Sequence, residues 1–405
     1  MEEPNMTERI NEMDTHYSDS YFFSTDKQSE LLREVEQMEA NSRWIKDVTT
    51  NEIRLTAIDG PIYASEAISK YGLPAGETLD TASFGSKLVL HDYTNPFAEQ
   101  HYLVRQIAVP SICREAKLEG SALGKMDRGT FATVINHALK VASGHTLMLE
   151  RYGQIAALLS EQYEIMPISE LLDISIEALQ ARFGELDFKS GTNEHEFTTA
   201  TWELPDAQND ILTKYQNVLS NNAVSRCMPE NFMPAVKFCS SDSGGSSAML
   251  IPVFRLHSGT YYPLVKGVEI KHKKSSHGIS KFRAEANEIY AKFEDSLKKV
   301  EKLAKIEVWH PQNAVISICN KYNIPKKYGT YALELVEKFA VGLPCLSAHD
   351  IYLCICEIVG YAQKHGVSSS YLFNLEENVA RVVNCDWSEH DVSGTVAWKT
   401  TKKNP

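Results

Sequence analysis

The period of apolar and polar side chains changes several times along the chain, and each change marks an element. Between residues 26 and 48, Leu31, Val35, Met38 and Ile45 recur near helical spacing. Residues 50–100 carry Gly and Pro at intervals (IDGPIYAS, YGLPAGE, TNPFAEQ) and read as short strands and loops. VPSICREAKL and DRGTFATVINHALKVA (127–142) return to helical spacing. HTLMLERYGQIAALLSEQYEIM predicts two strands around a turn at Tyr152–Gly153, and PISELLDISIEALQARFG a helix from Pro167 to just before Gly184. ELDFKSGTNEHEFTTATWELP reads as a hairpin turning at SGTN.

The pattern is richest from 235 to 305. AVKFCSS, AMLIPVFRLH and YYPLVKGVEIKHK are three strands separated by DSGG and HSGT, which predicts an antiparallel meander. In SKFRAEANEIYAKFEDSLKKVEKLAK (280–305) Phe282, Ala286, Ile289, Phe293, Leu297, Val300 and Ala304 form one apolar stripe. Read as one helix, that run is about 40 Å long. Beyond 311, four further segments have helical spacing, among them SAHDIYLCICEIVGYAQKHG. The expectation is an α+β fold, with a central antiparallel meander and hairpins packed by long helices and a helical C-terminal region. Its divisions are an arm of tail plus helix (1–48), a mixed domain (49–310) and a helical region (311–405).

Charge sharpens this picture. The 405-residue chain has a formal net charge of −12, and residues 1–60 hold 14 Asp and Glu against 6 Lys and Arg, so much of the acidity is N-terminal. Residues 1–25 are expected to be a mobile tail. Against that background, residues 265–283 concentrate Lys266, Lys271, Lys273, Lys274, Lys281 and Arg283 beside a single acid, Glu269. A strand end, a basic turn and a helix start form one surface able to neutralise backbone phosphates. Tyr261 and Tyr262 lie nearby as rings on which bases stack, and Arg151 at the earlier turn extends the face. The competing reading is a solvated lysine-rich turn with Tyr261 and Phe282 in the core.

Catalytic patterns fall short. SSDSGGSS supplies Asp242, Ser243 and Gly244 but no further triad member, and reads as a turn. GSALGKM (120–126) ends in Met126, so no hydroxyl follows the Lys to hold magnesium. Cys345, His349, Cys354 and Cys356 lack paired zinc spacing, and the 8 cysteines read as buried thiols. DWSEHD offers Asp386, Glu389, His390 and Asp391 as an acidic loop, or as oxygen ligands if others converge. No catalytic residue, metal or cofactor is assigned. No run approaches the ~18 apolar residues of a membrane span, and no secretory signal is read, so a cytoplasmic, membrane-free protein is expected.

MDRGTFATVINHALKVASGHTLMLERYGQIAALLSEQYEIMPISELLD (126–173) resembles the phage/plasmid-like protein family found on prophages and plasmids. Arg151, Ser160 and Tyr163 stand at the matching places, and WELP (202–205), the meander and the helix after a basic turn follow in order, so the likeness runs over about residues 105–400. Where that family's turn reads closer to Arg-x-Arg-His-Thr, this chain has IKHKKSSHG. The resemblance implies a mobile-element protein in a bacterial cytoplasm and brings no established chemistry. Strand meander followed by helix is also the core order of the single-strand annealing proteins of phage recombination, which assemble into rings and hold DNA in a basic groove; fold order alone is an analogy. The leading expectation is non-enzymatic binding of nucleic acid, single-stranded DNA first, by a homo-oligomer. The alternatives are a module that inhibits a host defence protein through acidic mimicry, and a metal-dependent enzyme using Asp386, Glu389 or Asp391.

Overall fold

The computed structural model describes residues 16, 18–58, 87–94, 100–142, 144–221, 232–256, 258–263, 265, 267–367 and 369–399. In chain order the strands are β1 (Phe22–Thr25), β2 (Ser42–Thr49), β3 (Ile53–Ile58), β4 (Lys87–Asp92), β5 (Gln100–Val104), β6 (His145–Arg151), β7 (Gln154–Ser160), β8 (Asp187–Glu194), β9 (Thr198–Glu203), β10 (Met233–Ser240), β11 (Ala248–Arg255), β12 (Tyr261–Pro263), β13 (Val268–Ile270), β14 (Glu307–Val308) and β15 (Leu346–Ser347). The α-helices are α1 (Gln28–Ala40), α2 (Val109–Glu115), α3 (Arg128–Val141), α4 (Ile168–Phe183), α5 (Gln208–Ser220), α6 (Gly278–Ala286), α7 (Ile289–Ala304), α8 (Pro311–Lys321), α9 (Lys326–Ala340), α10 (Ala348–Lys364) and α11 (Ser369–Val382).

Two large sheets, with β14 and β15 as a separate antiparallel pair, organise these elements into an α+β fold. The larger runs β1-β8-β9-β10-β11-β12, with β13 also on β11, and all its pairings are antiparallel. One face, carrying Ala200, Trp202, Val236, Phe238, Leu250 and Phe254, meets the helices in the main core. Alternation sends every second side chain there, so the neighbours Thr199, Thr201 and Lys237 point the other way. α10 is apolar nearly all round (Ile351, Tyr352, Leu353, Ile355, Cys356, Ile358), which is the composition of a central helix. The second sheet runs β2-β6-β7-β5-β4-β3 and closes a separate core against α2 and α3.

Several local expectations have clear physical counterparts. β6 and β7 join through Tyr152 (φ +50°) and Gly153 (φ +74°), the two left-handed residues of a tight hairpin turn. α4 ends where Gly184 takes φ +77° and its N–H reaches the Gln180 carbonyl at 3.0 Å. Asp127 caps α3 by accepting the Thr130 N–H at 2.8 Å.

Others are corrected. SGTN is not the turn of its hairpin: Ser190–Asn193 lie inside β8, and the chain reverses at residues 195–197. Gly191 sits mid-strand because α1 lies on it; a Cβ there would stand 2.6 Å from Leu31 Cδ2. The third meander strand is split into β12 and β13, which pair with opposite ends of β11. The run 280–305 is two helices, broken at Asn287–Glu288, where the Asn287 amide donates to the Arg283 carbonyl at 2.9 Å. α6 packs on α4 and α7 on α5, so the break lets one apolar stripe serve two partners. The arm is part of the fold from His16 onward in its described residues: β1 extends the large sheet, β2 edges the second, and Tyr21 is buried. Residues 1–15 and 17 lie outside the described residues.

The sheets are joined by charge. Arg151, at the end of β6, is 1% exposed; its guanidinium donates to the Asp242 carboxylate, to the His195 carbonyl (2.9 Å) and to Ser42 Oγ (3.0 Å). The DSGG loop is therefore more than a turn, because Asp242 fastens β10–β11 of the large sheet to β6 of the second. Gly244 completes the fit; its Cβ position lies 2.9 Å from Leu159 Cδ2 on β7. Arg105, fully buried, holds the arm by donating to the carbonyls of His16 (2.7 Å) and Ser18 (3.3 Å).

Candidate nucleic-acid interface

The basic turn leaves β13 and is pinned at each step. The Lys274 N–H donates to the Gln162 carbonyl (3.0 Å), and the His272 carbonyl accepts the Glu164 N–H (3.3 Å). The His272 ring stacks on Tyr163 with centroids 5.0 Å apart and planes at 9°. His277 adopts a left-handed conformation, φ +53°. That places Gly278 directly under Glu164, whose carboxylate accepts the Gly278 N–H at 3.1 Å and caps α6; a Cβ on Gly278 would stand 2.6 Å from Glu164 Cδ. Extended-chain alternation then sorts the side chains. Lys271 and Lys273 are exposed, and His272 between them is buried. Burial holds the His272 imidazole below its ordinary pKa and therefore neutral, so it adds no charge to the surface.

Lys274, His277, Lys281 and Arg283 are exposed along the same turn and helix start. Lys281 faces Glu285 at 3.7 Å, and Arg283 faces Glu177 of α4 at 2.8 Å. Exposed pairs of this kind are worth about 0–1 kcal/mol, so a phosphate competes for either cation at small cost. Lys266 lies outside the described residues.

The remaining residues assigned to this face are elsewhere. Tyr262 is a correction: it is fully buried in the main core, its hydroxyl 2.9 Å from that of Tyr215, and no base can reach its ring. Arg151 is a second correction, because it is spent inside the seam. Tyr261 does reach the outer face of the large sheet, but β12 and β13 leave β11 at opposite ends, seven residues apart. At 3.2–3.4 Å per residue, that sets Tyr261 roughly 20 Å from the lysines. Its hydroxyl donates to Glu203 at 2.9 Å, and burial together with that carboxylate raises its pKa.

Tyr261 lines a different feature, a cleft of about 840 Å³ floored by Ser190, Thr192, Thr199 and Thr201. Lys237 of β10 crosses it to Glu376 of α11, at 2.6 and 2.7 Å from the two carboxylate oxygens. The sequence carries a signal for this floor, the alternating small polar residues Thr199 and Thr201 that flank Ala200 in β9. The buried Arg105 has no place in the sequence-based reading, and Arg151 has the wrong one. Their signal is a lone cation inside an apolar run, as in YLVRQIAV around Arg105.

The acidic C-terminal loop is fully occupied by structural work. Asp391 accepts the N–H groups of Trp309 (3.0 Å) and His310 (2.7 Å), Asp386 caps Ser388 (3.1 Å), and Glu389 pairs with Lys321 (2.9 Å). Among the described residues no three His, Cys, Asp or Glu side chains converge as metal ligands. Cys239, Cys319, Cys354 and Cys356 are buried free thiols, and burial pushes the Cys319 thiol up to about 12. Cys227 lies outside the described residues. No helix among the described residues is long and apolar enough to cross a membrane. No known protein family, curated protein or solved structure matches the chain.

Proposed function

We propose that this protein binds nucleic acid without acting on it chemically, single-stranded DNA first, through Lys271, Lys273, Lys274 and Lys281. One observation carries the reading: the lysines project to solvent from a turn whose backbone is fastened to residues 162–164 and whose buried histidine is stacked in place. A solvated loop needs no such fastening. A surface that must present cations at fixed spacing to a phosphate backbone gains from it, because ordering costs are met on folding rather than on binding. Resemblance to the phage/plasmid-like family supports a mobile-element protein in a bacterial cytoplasm, where recombination or replication is the setting for such binding.

Fluorescence anisotropy of a labelled oligonucleotide, titrated between low and moderate salt beside a duplex control, tests this. Binding should weaken steeply with salt. In a Lys271→Ala/Lys273→Ala/Lys274→Ala variant the slope of log K against log salt should flatten by about 2, at ~0.7 per single-strand phosphate contact. Absence of binding at low salt, or an unchanged slope in the variant, removes this reading and turns the search to a protein partner.

A further inference from the structure

On the second sheet β4 and β5 are antiparallel, and His91 is the direct cross-strand partner of His101. Leu88, Leu90 and Tyr102 of these strands face the core under α2 and α3. By alternation the two histidines therefore stand on the opposite face, where both are half-buried. Their Nδ1 atoms point at one another across 2.7 Å. On the far side of the His91 ring, Nε2 lies 2.8 Å from the Thr56 hydroxyl on β3. With the Nε2 proton given to Thr56, His91 Nδ1 carries a lone pair, and one proton bridges the two rings. Arg54, opposite His91 on β3, does not intrude. Its guanidinium turns back onto the carbonyls of Asn51 and Ile53 at 2.7 Å each.

We infer that His91 and His101 form a binding site for a divalent transition cation of the zinc and copper class, which imidazole nitrogen favours. The metal takes the two Nδ1 lone pairs, and the bridging proton moves to Nε2 of His101, so two neutral imidazoles become two ligands. At metal–nitrogen distances of about 2.0–2.1 Å, two tetrahedral ligands stand roughly 3.3 Å apart. The pair opens by about 0.6 Å, and each ring turns so that its lone pair points roughly 35° off the present Nδ1–Nδ1 line, as a tetrahedral metal between them requires. Thr56 supplies the outer hydrogen bond that fixes the ring orientation of a ligating histidine. Two imidazoles leave the remaining coordination positions to other donors, water among them. The site is separate from the basic turn and does not depend on it.

Copper(II) titrated into the full chain against competing citrate, an oxygen-only ligand, and followed by electron paramagnetic resonance tests the assignment. One equivalent should bind with hyperfine coupling to two nitrogens. His91→Ala and His101→Ala should each lose that species, and Thr56→Val should weaken it by about tenfold or more. Unmutated chain titrated with zinc gives a check that needs no variant to fold: the imidazole resonances of His91 and His101 should shift together. Copper binding that is unchanged in both histidine variants, or zinc shifts confined to other histidines, overturns the site.

Discussion

Replacing Arg151 by Met should lower the stability of the protein by about 3 kcal/mol or more, the usual loss when one partner of a buried ion pair is removed. The guanidinium is 2% exposed and the Asp242 carboxylate 13%, so the remaining charge is left nearly out of water with no cation beside it. The His195 carbonyl and Ser42 Oγ lose their donors at the same stroke. Asp242→Asn should cost less, because an amide oxygen still accepts from the guanidinium. The double variant Arg151→Met/Asp242→Leu should recover part of the loss, since an apolar pair carries no desolvation penalty. Urea denaturation midpoints for the four proteins measure all three differences. A loss below 1 kcal/mol for Arg151→Met would mean that the two sheets are not held by this pair.

The comparison between sequence and structure turns on how far apart the contacting residues are. Tyr152–Gly153 and Gly184 were legible because a turn and a helix stop are settled within four residues. The apolar stripe of 280–305 was legible as a stripe, but its break was not. Periodicity records that one face is apolar and is silent on whether that face meets one partner or two. SGTN misled for a related reason: Gly191 looks like turn chemistry, while its actual role is to admit Leu31, 160 positions earlier in the chain. The basic turn was recognised by charge density alone. Its fastening to 162–164, and the placing of Tyr261 and Tyr262 on opposite faces of one strand, belong to pairings between distant segments. Arg105 and Arg151 make the same point from the other side. A charge in an apolar run is ambiguous until its partner is known, for Arg151 the Asp242 carboxylate in the β10–β11 loop and for Arg105 the carbonyls of His16 and Ser18.

His195 should make the protein acid-sensitive well above the carboxylate range. The ring is 2% exposed, lies 3.0 Å from the Ser18 carbonyl through Nε2, and has Tyr21 tilted over it at 5.5 Å. Burial first, then the positive charges of Arg105 and Arg151, hold its pKa well below the ordinary value, and His16 acts in the same sense. In the unfolded chain it takes up a proton near pH 6.5. Below that pH the unfolded state binds a proton that the folded state refuses, so stability falls as pH falls, by about 1.4 kcal/mol per unit for each such group. His272, lowered by its own burial, adds to the same limb. Glu196, next in sequence, and Glu115 oppose it near their own range, because burial raises their pKa values and the folded state there binds the extra proton. The window between pH 6.5 and about 5.5 therefore isolates the histidines. Stability measured across that window should fall with acid in the unmutated protein. His195→Gln, whose side-chain N–H reaches toward the same Ser18 carbonyl without titrating, should remove about one proton's worth of slope. Equal slopes in the two proteins would mean that His195 is protonated in the folded state, and that the seam beside Arg105 and Arg151 tolerates a third positive charge.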